Sequence, residues 1–276
     1  MIACPTVQKN EIKSHYDLAT FFYRLLWGEH IHHGLWDADE TPEVAQRQLI
    51  DRQIAAAGIQ PGARVLDVGC GMGATSIYLA RTLGCDVTGV TLSPLQRWWA
   101  TVSAILKGVP KRTRFIQGDA EMVELPPRSF DVVWSVECTE HLYDKPRFFR
   151  RAAAWLRPGG KVAICAWLAG DEPLSAEAEQ LVYDVCEGFL CPSLGTASDY
   201  QEWMRAAGLT LLSYTDVTAK VDRTWEICLA RTQGRIIRRF ARRAGQSMDL
   251  FVKRFETILR AYRTGAMKYG CFVAQL

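Results

Sequence analysis

A glycine-rich segment, Val65-Leu-Asp-Val-Gly-Cys-Gly-Met-Gly73, constrains the fold of this chain more than any other feature. It follows an apolar run and precedes a helical pattern, so it predicts a tight turn between a strand and a helix. Glycine lets the backbone adopt positive φ and approach a ligand closely. The helix N-terminus offers N–H groups to an anionic ligand group, and Asp67 offers a carboxylate to a cationic one. A plain strand–helix turn without a ligand is the alternative.

The middle of the chain alternates short apolar runs with amphipathic stretches, as a series of β-α-β units does. The predicted strands are Arg64–Val68, Cys85–Val90, Arg114–Gln117, Phe130–Val136, Lys161–Trp167, Leu209–Val217 and Gly270–Gln275. Several lack clean alternation, which is typical of parallel strands buried on both faces. We predict an α/β fold with a doubly wound, mostly parallel, seven-stranded Rossmann-like sheet, in which a late antiparallel hairpin closes five parallel strands.

Two regions lie outside this core. Residues 1–60 are rich in aromatic residues and histidine and are predicted to form an N-terminal helical lid, with residues 61–276 as the core domain. Residues from about 170 to 196 are predicted to form a helical insertion after the fifth strand that covers the substrate. One long helical region is predicted from about residue 225 to 263.

Composition excludes several classes of protein. The 33 basic and 30 acidic residues give a net charge of +3, which argues against nucleic-acid binding. The nine cysteines include no C-x-x-C pair, so neither a disulfide framework nor a zinc site is predicted. With no long apolar run and no signal-peptide pattern, we expect a cytoplasmic protein. The sequence leaves the oligomeric state open.

Acidic residues follow two further strands of the predicted sheet. Gln117-Gly-Asp119-Ala-Glu121 comes after the third strand, and Glu137 comes after the fourth. Ligands of open α/β sheets bind outside the carboxyl ends of the strands, where Asp119 could accept from an adenine amino group. A dinucleotide site would need G-x-G-x-x-G and an acid after the second strand. Here the spacing is G-x-G-x-G, and Thr91 stands where the acid is expected.

In order, the motifs D-x-G-x-G-x-G, G-D-A, F-D-x-V and L-R-P-G-G resemble those of class I S-adenosylmethionine-dependent methyltransferases, across at least residues 64–167. The segment Gly89-Val-Thr-Leu-Ser-Pro-Leu-Gln96 lacks the usual ribose-binding acid. It resembles the γ-tocopherol methyltransferase group and related natural-product, sterol and cyclopropane-fatty-acid methyltransferases. Looser similarity extends to residues 15–34, 191–209 and 262–269.

The resemblance implies S-adenosyl-L-methionine as the cofactor. Its predicted contacts are Tyr16, Asp67, Gly69, Gly71, Gly73, Thr91, Leu92, Gln96, Asp119, Ala120, Glu121 and Val136. The ribose would be held near Thr91 and Leu92 and by Gln96. The predicted substrate-binding residues are His33, Trp36 and Tyr200.

Catalysis by such an enzyme needs alignment of donor and acceptor in a dry pocket, and a base where the acceptor must lose a proton. Ser135-Val-Glu137-Cys-Thr-Glu-His141 follows the fourth strand, and Glu137 matches the glutamate that the family places there. Glu137 and His141 are the candidate catalytic bases. A cofactor contact or structural hydrogen bond for Glu137, and a helix cap for His141, stay open as alternatives.

The sequence contains two clusters of cationic or metal-binding side chains. His30, His32 and His33 point in different directions along the chain, so no metal is predicted. One predicted helix face carries Arg231, Arg235, Arg238, Arg239, Arg242 and Arg243. A solvated face, peripheral contact of Arg231–Arg243 with an anionic membrane and a site for a phosphorylated acceptor are the three interpretations.

We predict an enzyme that methylates a small, largely apolar molecule, with C-methylation of an aromatic or prenylated compound favoured. The alternatives are N- or O-methylation of an alkaloid or sugar natural product, and C-methylation of an isoprenoid diphosphate, in which Glu137 would deprotonate a carbocation. The alternative outside enzymes is a regulatory protein that binds the cofactor without turnover.

Overall fold

The computed structural model describes residues 1–12, 28–171, 173–232 and 245–276. The helices are α1 Pro42–Ala57, α2 Ala74–Thr82, α3 Pro94–Leu106, α4 Lys145–Trp155, α5 Ala176–Phe189, α6 Ala197–Ala206, α7 Arg223–Thr232 and α8 Gln246–Arg263. The strands are β1 Ile2–Ala3, β2 Arg64–Val68, β3 Asp86–Thr91, β4 Thr113–Gln117, β5 Phe130–Val136, β6 Leu156–Ala169, β7 Ser193–Leu194, β8 Thr210–Asp216 and β9 Met267–Gln275. Short 3₁₀ turns span Thr139–His141 and Thr218–Lys220.

Seven strands form one sheet in the order β4-β3-β2-β5-β6-β9-β8. The strands from β2 to β6 pair in parallel. In the centre of the sheet, Asp67 of β2 lies opposite Gly89 of β3 and Trp134 of β5. The prediction of a mostly parallel, seven-stranded, doubly wound sheet is confirmed.

The strand β9 runs antiparallel to β6. The N–H of Leu276 donates to the carbonyl of Gly160 at 3.0 Å, and the N–H of Gly170 donates to the carbonyl of Ala266 at 2.8 Å. Rising residue numbers in β6 therefore meet falling numbers in β9, as only an antiparallel pair allows. The antiparallel closure predicted for the end of the chain is present.

The sheet is anchored by a buried apolar cluster that α1, α2 and five of the strands share. Its central side chains are Val65, Leu79 and Trp134, each fully enclosed. Burial of side chains of this kind stabilises the fold by roughly 1.5–3 kcal/mol each. Since β2 and β5 contribute to the same cluster, the loops at their carboxyl ends start from rigid positions.

The described residues form two compact units. Unit 1 comprises Met1–Gln48, Trp167–Asp199 and Asp216–Gly270, and unit 2 comprises Leu49–Ala166, Tyr200–Thr215 and Cys271–Leu276. Unit 1 includes a two-stranded antiparallel sheet, β1 with β7, that the sequence did not predict. The helix α5 lies within the predicted insertion of residues 170–196. The domain boundary predicted at residue 60 stays a prediction.

Two predicted elements are corrected. The fifth strand begins at Leu156 rather than Lys161, because Leu156 pairs with Phe130 and the glycines of L-R-P-G-G bond to Leu276. The long helical region after residue 225 is not continuous, because Gly245 has φ +114, which no α-helix contains. Arg235, Arg238, Arg239, Arg242 and Arg243 lie outside the described residues. None of the described helices is long and apolar enough to cross a membrane.

Candidate active site

The carboxyl edge of unit 2 brings together residues that the sequence separates widely. In the parallel register Thr91 lies opposite Gln117, and Asp67 lies opposite both Gly89 and Trp134. The residues that follow these positions therefore leave the sheet on the same side. Three predicted groups meet at this edge: the glycine-rich turn, the loop from Asp119, and the loop from Glu137.

The glycine-rich turn has the conformation that its composition predicts. Gly69 has φ +77, and a Cβ there would lie 2.3 Å from Cβ of Cys138. Gly71 has φ +52, and a Cβ there would meet nothing within 4 Å. The backbone at Gly71 thus borders open space, where a ligand could approach it closely.

Asp67 is buried at the end of β2, with only 3% of its surface exposed. The hydroxyl of Ser76 donates to its Oδ2 at 2.5 Å. Burial raises the pKa of this carboxyl from 3.8 to about 6, while the hydrogen bond from Ser76 lowers it. A cationic ligand group beside this carboxyl would favour its charged form and lower the pKa again. The sequence did not point to Ser76, although this residue lies in the first turn of α2, within hydrogen-bonding distance of Asp67.

The helix α2 begins without a side-chain cap. Gly73 is its N-cap residue, has φ +81 and offers no side-chain oxygen. The N–H groups of the first turn therefore remain available to an anion, and the helix dipole favours one. With the open backbone at Gly71 and the carboxylate of Asp67, this end of α2 matches a ligand that carries both an anionic and a cationic group.

The helix α3 starts as predicted, at Ser93 and Pro94. The Oγ of Ser93 accepts the N–H of Gln96 at 3.1 Å, and proline occupies the first helical turn. The hydroxyl of Thr91 donates to Oε1 of Gln96 at 2.8 Å, and both side chains are buried. This bond fixes the amide so that its NH₂ group points away from Thr91. Leu92, which follows Thr91 in the sequence, is half-buried.

The loop after β4 is held by its own carboxylates. Oδ1 of Asp119 accepts the N–H of Glu121 at 2.9 Å. Oε1 of the buried Glu121 accepts the N–H groups of Tyr143 and Asp144, at 3.1 and 2.7 Å. Glu121 therefore ties this loop to the start of α4, and Ala120 lies between the two acids, half-buried. The cofactor contacts predicted for these residues stay predictions.

Glu137 directly follows Val136, the last residue of β5, with φ +52. Among the described residues, only Arg128, Glu137 and Leu190 have a positive φ without being glycine. A left-handed conformation costs an ordinary residue about 1–2 kcal/mol. The N–H of Glu137 donates to the carbonyl of Cys165 at 2.9 Å, which holds the residue in place. Such strain persists where the surroundings enforce it, often at functional sites.

The loop beyond Glu137 is buried and hydrogen-bonded. Thr139 and Glu140 are at most 1% exposed, and the hydroxyls of Thr139 and Tyr200 lie 2.7 Å apart. His141 closes the 3₁₀ turn, with its N–H donating to the carbonyl of Cys138. The assignment of Tyr200 to substrate binding stays a prediction. The sequence did not point to Thr139, since nothing in the spacing of the two residues connects them.

Cys138 lies half-buried against the glycine-rich turn. Burial raises the pKa of its thiol to about 12, so the thiol is neutral at physiological pH. It therefore acts as a packing group between the two loops rather than as a nucleophile.

His33 and Trp36, two of the predicted substrate-binding residues, lie in unit 1. His33 is 1% exposed, and Nε1–H of Trp225 donates to its Nε2 at 2.6 Å. The rings of Trp167, Trp225, Tyr262 and Tyr269 surround it, with centroids 5.0–5.6 Å away. The indole N–H of Trp36 donates to the hydroxyl of Thr224 at 3.2 Å. Tyr16 lies outside the described residues, and these three assignments stay predictions.

The histidines near the start of the chain contact one another. Nε2 of His32 lies 3.2 Å from Nδ1 of His30, and Nδ1 of His32 lies 2.8 Å from the carbonyl of His33. Within residues 1–12, 28–171, 173–232 and 245–276, no three His, Cys, Asp or Glu side chains form a group that could hold a metal ion. The expectation of no metal stays a prediction.

A glycine-rich turn and acidic loops at the carboxyl edge of this sheet define a class I S-adenosylmethionine-dependent methyltransferase with a Rossmann-like fold. Comparison with known proteins agrees. The family model described as mycolic acid cyclopropane synthetase matches residues 5–269, and the chain belongs to this family.

Individual relatives and structures agree with this assignment. The chain is 35% identical to 27-O-demethylrifamycin SV methyltransferase of Amycolatopsis mediterranei, over 82% of this chain and 83% of that protein. It is 30% identical to 2-methyl-6-phytyl-1,4-hydroquinone methyltransferase of a Synechocystis strain, over 90% of this chain and 81% of that protein. A solved cyclopropane synthase from Mycobacterium tuberculosis has the same fold, with a TM-score of 0.85 at 22% identity over 98% of this chain and 99% of that one. The protein is therefore an enzyme that uses S-adenosylmethionine to act on small molecules.

Proposed function

We propose that the enzyme methylates a ring carbon of a small, largely apolar aromatic or prenylated acceptor, with Glu137 as the base. The observation that carries the proposal is the enforced left-handed backbone of Glu137 at the end of the central strand β5. A strained acidic residue at the ligand-binding edge of a doubly wound sheet is best explained by a chemical role.

The cofactor would bind along the carboxyl edge of unit 2, and three contacts support this. Asp67 would take the ammonium group, which would offset the cost of ionising a buried carboxyl. The uncapped N-terminus of α2 would take the carboxylate, with the backbone at Gly71 close to the ligand. These donors and acceptors match the amino-acid end of S-adenosylmethionine in charge and in order along the turn.

The nucleoside end would lie over β3 and β4. Gln96, oriented by Thr91, would reach the ribose hydroxyls together with backbone groups near Leu92. Asp119, Ala120, Glu121 and Val136 would contact the adenine. The fixed amide of Gln96 supports this assignment, because an oriented side chain binds with less loss of conformational freedom.

The residues of this chain need to perform only one chemical step, the removal of a proton. When bound, S-adenosylmethionine supplies an activated methyl group on a positively charged sulfur. Asp67, Gly71 and Gln96 would hold this donor so that its methyl group could pass to the acceptor carbon, with the sulfur keeping the electron pair of the broken bond. Glu137 accepts the proton that the acceptor must lose, from a phenolic hydroxyl before transfer or from the ring carbon afterwards. His141, four residues further on, is the second candidate base.

The acceptor class draws its support from the relatives. The Synechocystis relative is named for a hydroquinone that carries a phytyl chain, which is both aromatic and prenylated. The Amycolatopsis relative is named for an O-methylated position, so O-methylation is the second candidate. A phenol has both a ring carbon and an oxygen that can be methylated, so the product shows which of the two atoms the enzyme uses.

The test is the product formed from methyl-labelled S-adenosylmethionine and a panel of prenylated hydroquinones, simple phenols and alkaloid amines. The proposal predicts a carbon-bound label in NMR spectra of the product, formed from the prenylated ring. An oxygen- or nitrogen-bound label would overturn C-methylation but leave the methyltransferase class intact. Glu137→Gln should lower kcat at least a hundredfold while S-adenosylhomocysteine binding is unchanged.

A further inference from the structure

The helix α3 exposes an apolar surface to solvent. Four of its side chains are large, apolar and substantially exposed: Leu95 at 41%, Trp98 at 56%, Ile105 at 58% and Leu106 at 80%. Isolated exposed apolar residues are ordinary, but a cluster on one element marks an interaction site. We call these four residues the α3 apolar face.

The positions of these residues are those of a single helical stripe. Leu95, Trp98, Ile105 and Leu106 recur at three-, seven- and one-residue intervals, which places them within about 100° around the helix axis. The opposite side of α3 is the buried one, formed by Gln96, Ala100 and Ala104. The helix is thus apolar on its outer side, where packing within the protein does not require it.

The segment that carries this stripe has charged side chains of one sign only. Residues 94–112 contain Arg97, Lys107, Lys111 and Arg112 but no aspartate or glutamate. Arg112 pairs with Asp86 at 3.2 Å, which leaves the segment with a net positive charge. A partner surface that complements α3 must therefore combine an apolar layer, which contacts the α3 apolar face, with anionic groups, which contact the basic side chains.

We propose that α3 lies on an anionic lipid bilayer, with the α3 apolar face at the boundary between headgroups and acyl chains. A helix that binds in the plane of a membrane carries leucine and tryptophan on one side and lysine and arginine beside them. The 13 residues of α3 give about 20 Å of helix to lie along that plane. Tryptophan at such an interface places its ring among apolar groups and its N–H in contact with water and headgroups.

The α3 apolar face belongs to residues 95–106 and is separate in the sequence from the arginine-rich stretch of residues 231–243. The N-terminus of α3 adjoins the edge of the sheet where the cofactor is predicted to bind, because Ser93 and Gln96 belong to the same turn as Thr91. A bilayer at α3 would therefore lie beside the edge of the sheet where the chemistry is predicted. The inference does not depend on which atom of the acceptor is methylated.

The test is vesicle sedimentation of the full chain, with pure phosphatidylcholine vesicles and with vesicles that contain about 30% phosphatidylglycerol. The wild type should bind the anionic vesicles, and added salt should weaken the binding. The double variant Trp98→Glu, Leu106→Glu should bind at least tenfold more weakly. Leu212→Glu, at a leucine that is 50% exposed on β8, is the matched control and should bind like the wild type.

Folding is checked by S-adenosylhomocysteine binding, and Leu106→Ser replaces the double variant if that variant does not fold. Failure of the wild type to bind anionic vesicles would overturn the proposal. Equal loss of binding in Leu212→Glu would also overturn it. If the α3 variants instead abolish a dimer of the wild type seen by analytical ultracentrifugation, the face serves a second copy of the chain and the membrane proposal is wrong.

Discussion

The hydroxyl of Tyr200 lies 2.7 Å from that of Thr139, and both residues are fully buried in unit 2. The ring of Tyr200 stacks on Phe272 at 5.3 Å, with the planes 13° apart. Because Thr139 lies two residues after Glu137, the start of α6 and the last strand together fix the loop on which the proposed base stands.

Tyr200→Phe removes this hydrogen bond and keeps the ring. A buried hydroxyl left without its partner costs about 1–3 kcal/mol, and the loop carrying Glu137 should lose its exact position. We expect kcat to fall about tenfold, with KM for the acceptor nearly unchanged. Steady-state kinetics with both substrates measures this.

Tyr214→Phe is the control, since its ring also stacks on Phe272, at 4.8 Å, but the residue is only half-buried. It should keep the wild-type kcat. A rise in KM without loss of kcat in Tyr200→Phe would instead assign Tyr200 to direct contact with the acceptor, as the sequence predicted.

Glu137→Gly separates strain from chemistry. Glycine adopts φ +52 freely, so the strain of about 1–2 kcal/mol disappears, offset by the roughly 0.5–1 kcal/mol of extra backbone entropy that glycine loses on folding. The free energy of unfolding should therefore stay equal or rise by up to about 1.5 kcal/mol, while activity falls at least a hundredfold. Urea denaturation and turnover are compared on the same samples.

Arg128→Gly provides the matched change at φ +51, at an exposed residue away from the carboxyl edge. It should show the same stability change with normal activity. Full activity in Glu137→Gly would rule out Glu137 as the base.

Cofactor binding should depend on pH through Asp67. Its pKa is raised to about 6 in the folded protein, above the usual 3.8, so the cofactor-free protein loses stability as pH rises between these values. The loss is about 3 kcal/mol in order of magnitude, and it is complete above about pH 6. A bound ammonium group favours the ionised carboxylate, so S-adenosylhomocysteine should bind more weakly as pH falls below about 6.

Calorimetric titration at about pH 5 and about pH 7.5 measures this dependence. Asp67→Asn should bind weakly at both pH values, with the pH dependence largely removed. Equal affinity of the wild type at both values would show that no ligand cation is bound to Asp67.

Gly69→Ala tests the close approach of the glycine-rich turn to the loop after β5. The added Cβ would lie 2.3 Å from Cβ of Cys138, at a φ of +77 that alanine avoids. We expect a loss of about 1–2 kcal/mol from the backbone and a further 1–3 kcal/mol from overpacking, with cofactor binding weakened.

Gly62→Ala supplies the backbone term alone, because Gly62 has φ +76 and nothing within 4 Å of the added atom. Denaturation measures the free energy of unfolding of both variants, and the difference between them is the cost of overpacking at Gly69. Equal losses in both would mean that the two loops do not press on each other at Gly69.

The sequence predicted the parts of this enzyme that depend on neighbouring residues. The turn at Gly69–Gly73 and the start of α3 at Ser93 follow from local chemistry, since glycine and a serine cap determine them. The mostly parallel, seven-stranded sheet was also predicted, because the β-α-β pattern restricts the topology.

The sequence did not predict contacts between residues far apart in the chain. Thr139 and Tyr200 are separated by 61 positions, and no periodicity connects them. The early start of β6 at Leu156 depends on pairing with Phe130 and Leu276, which only the assembled sheet provides. The exposure of Trp98 and Leu106 was also missed, because apolar residues on a helix are normally read as core.

The most direct test of the account is calorimetric titration of the wild type and Asp67→Asn with S-adenosylhomocysteine at neutral pH. The account predicts saturable binding at one site per chain in the wild type, weakened at least tenfold in Asp67→Asn while both proteins remain folded. Absence of binding to the folded wild type, or equal binding by the two proteins, would contradict the cofactor site described at the carboxyl edge of unit 2.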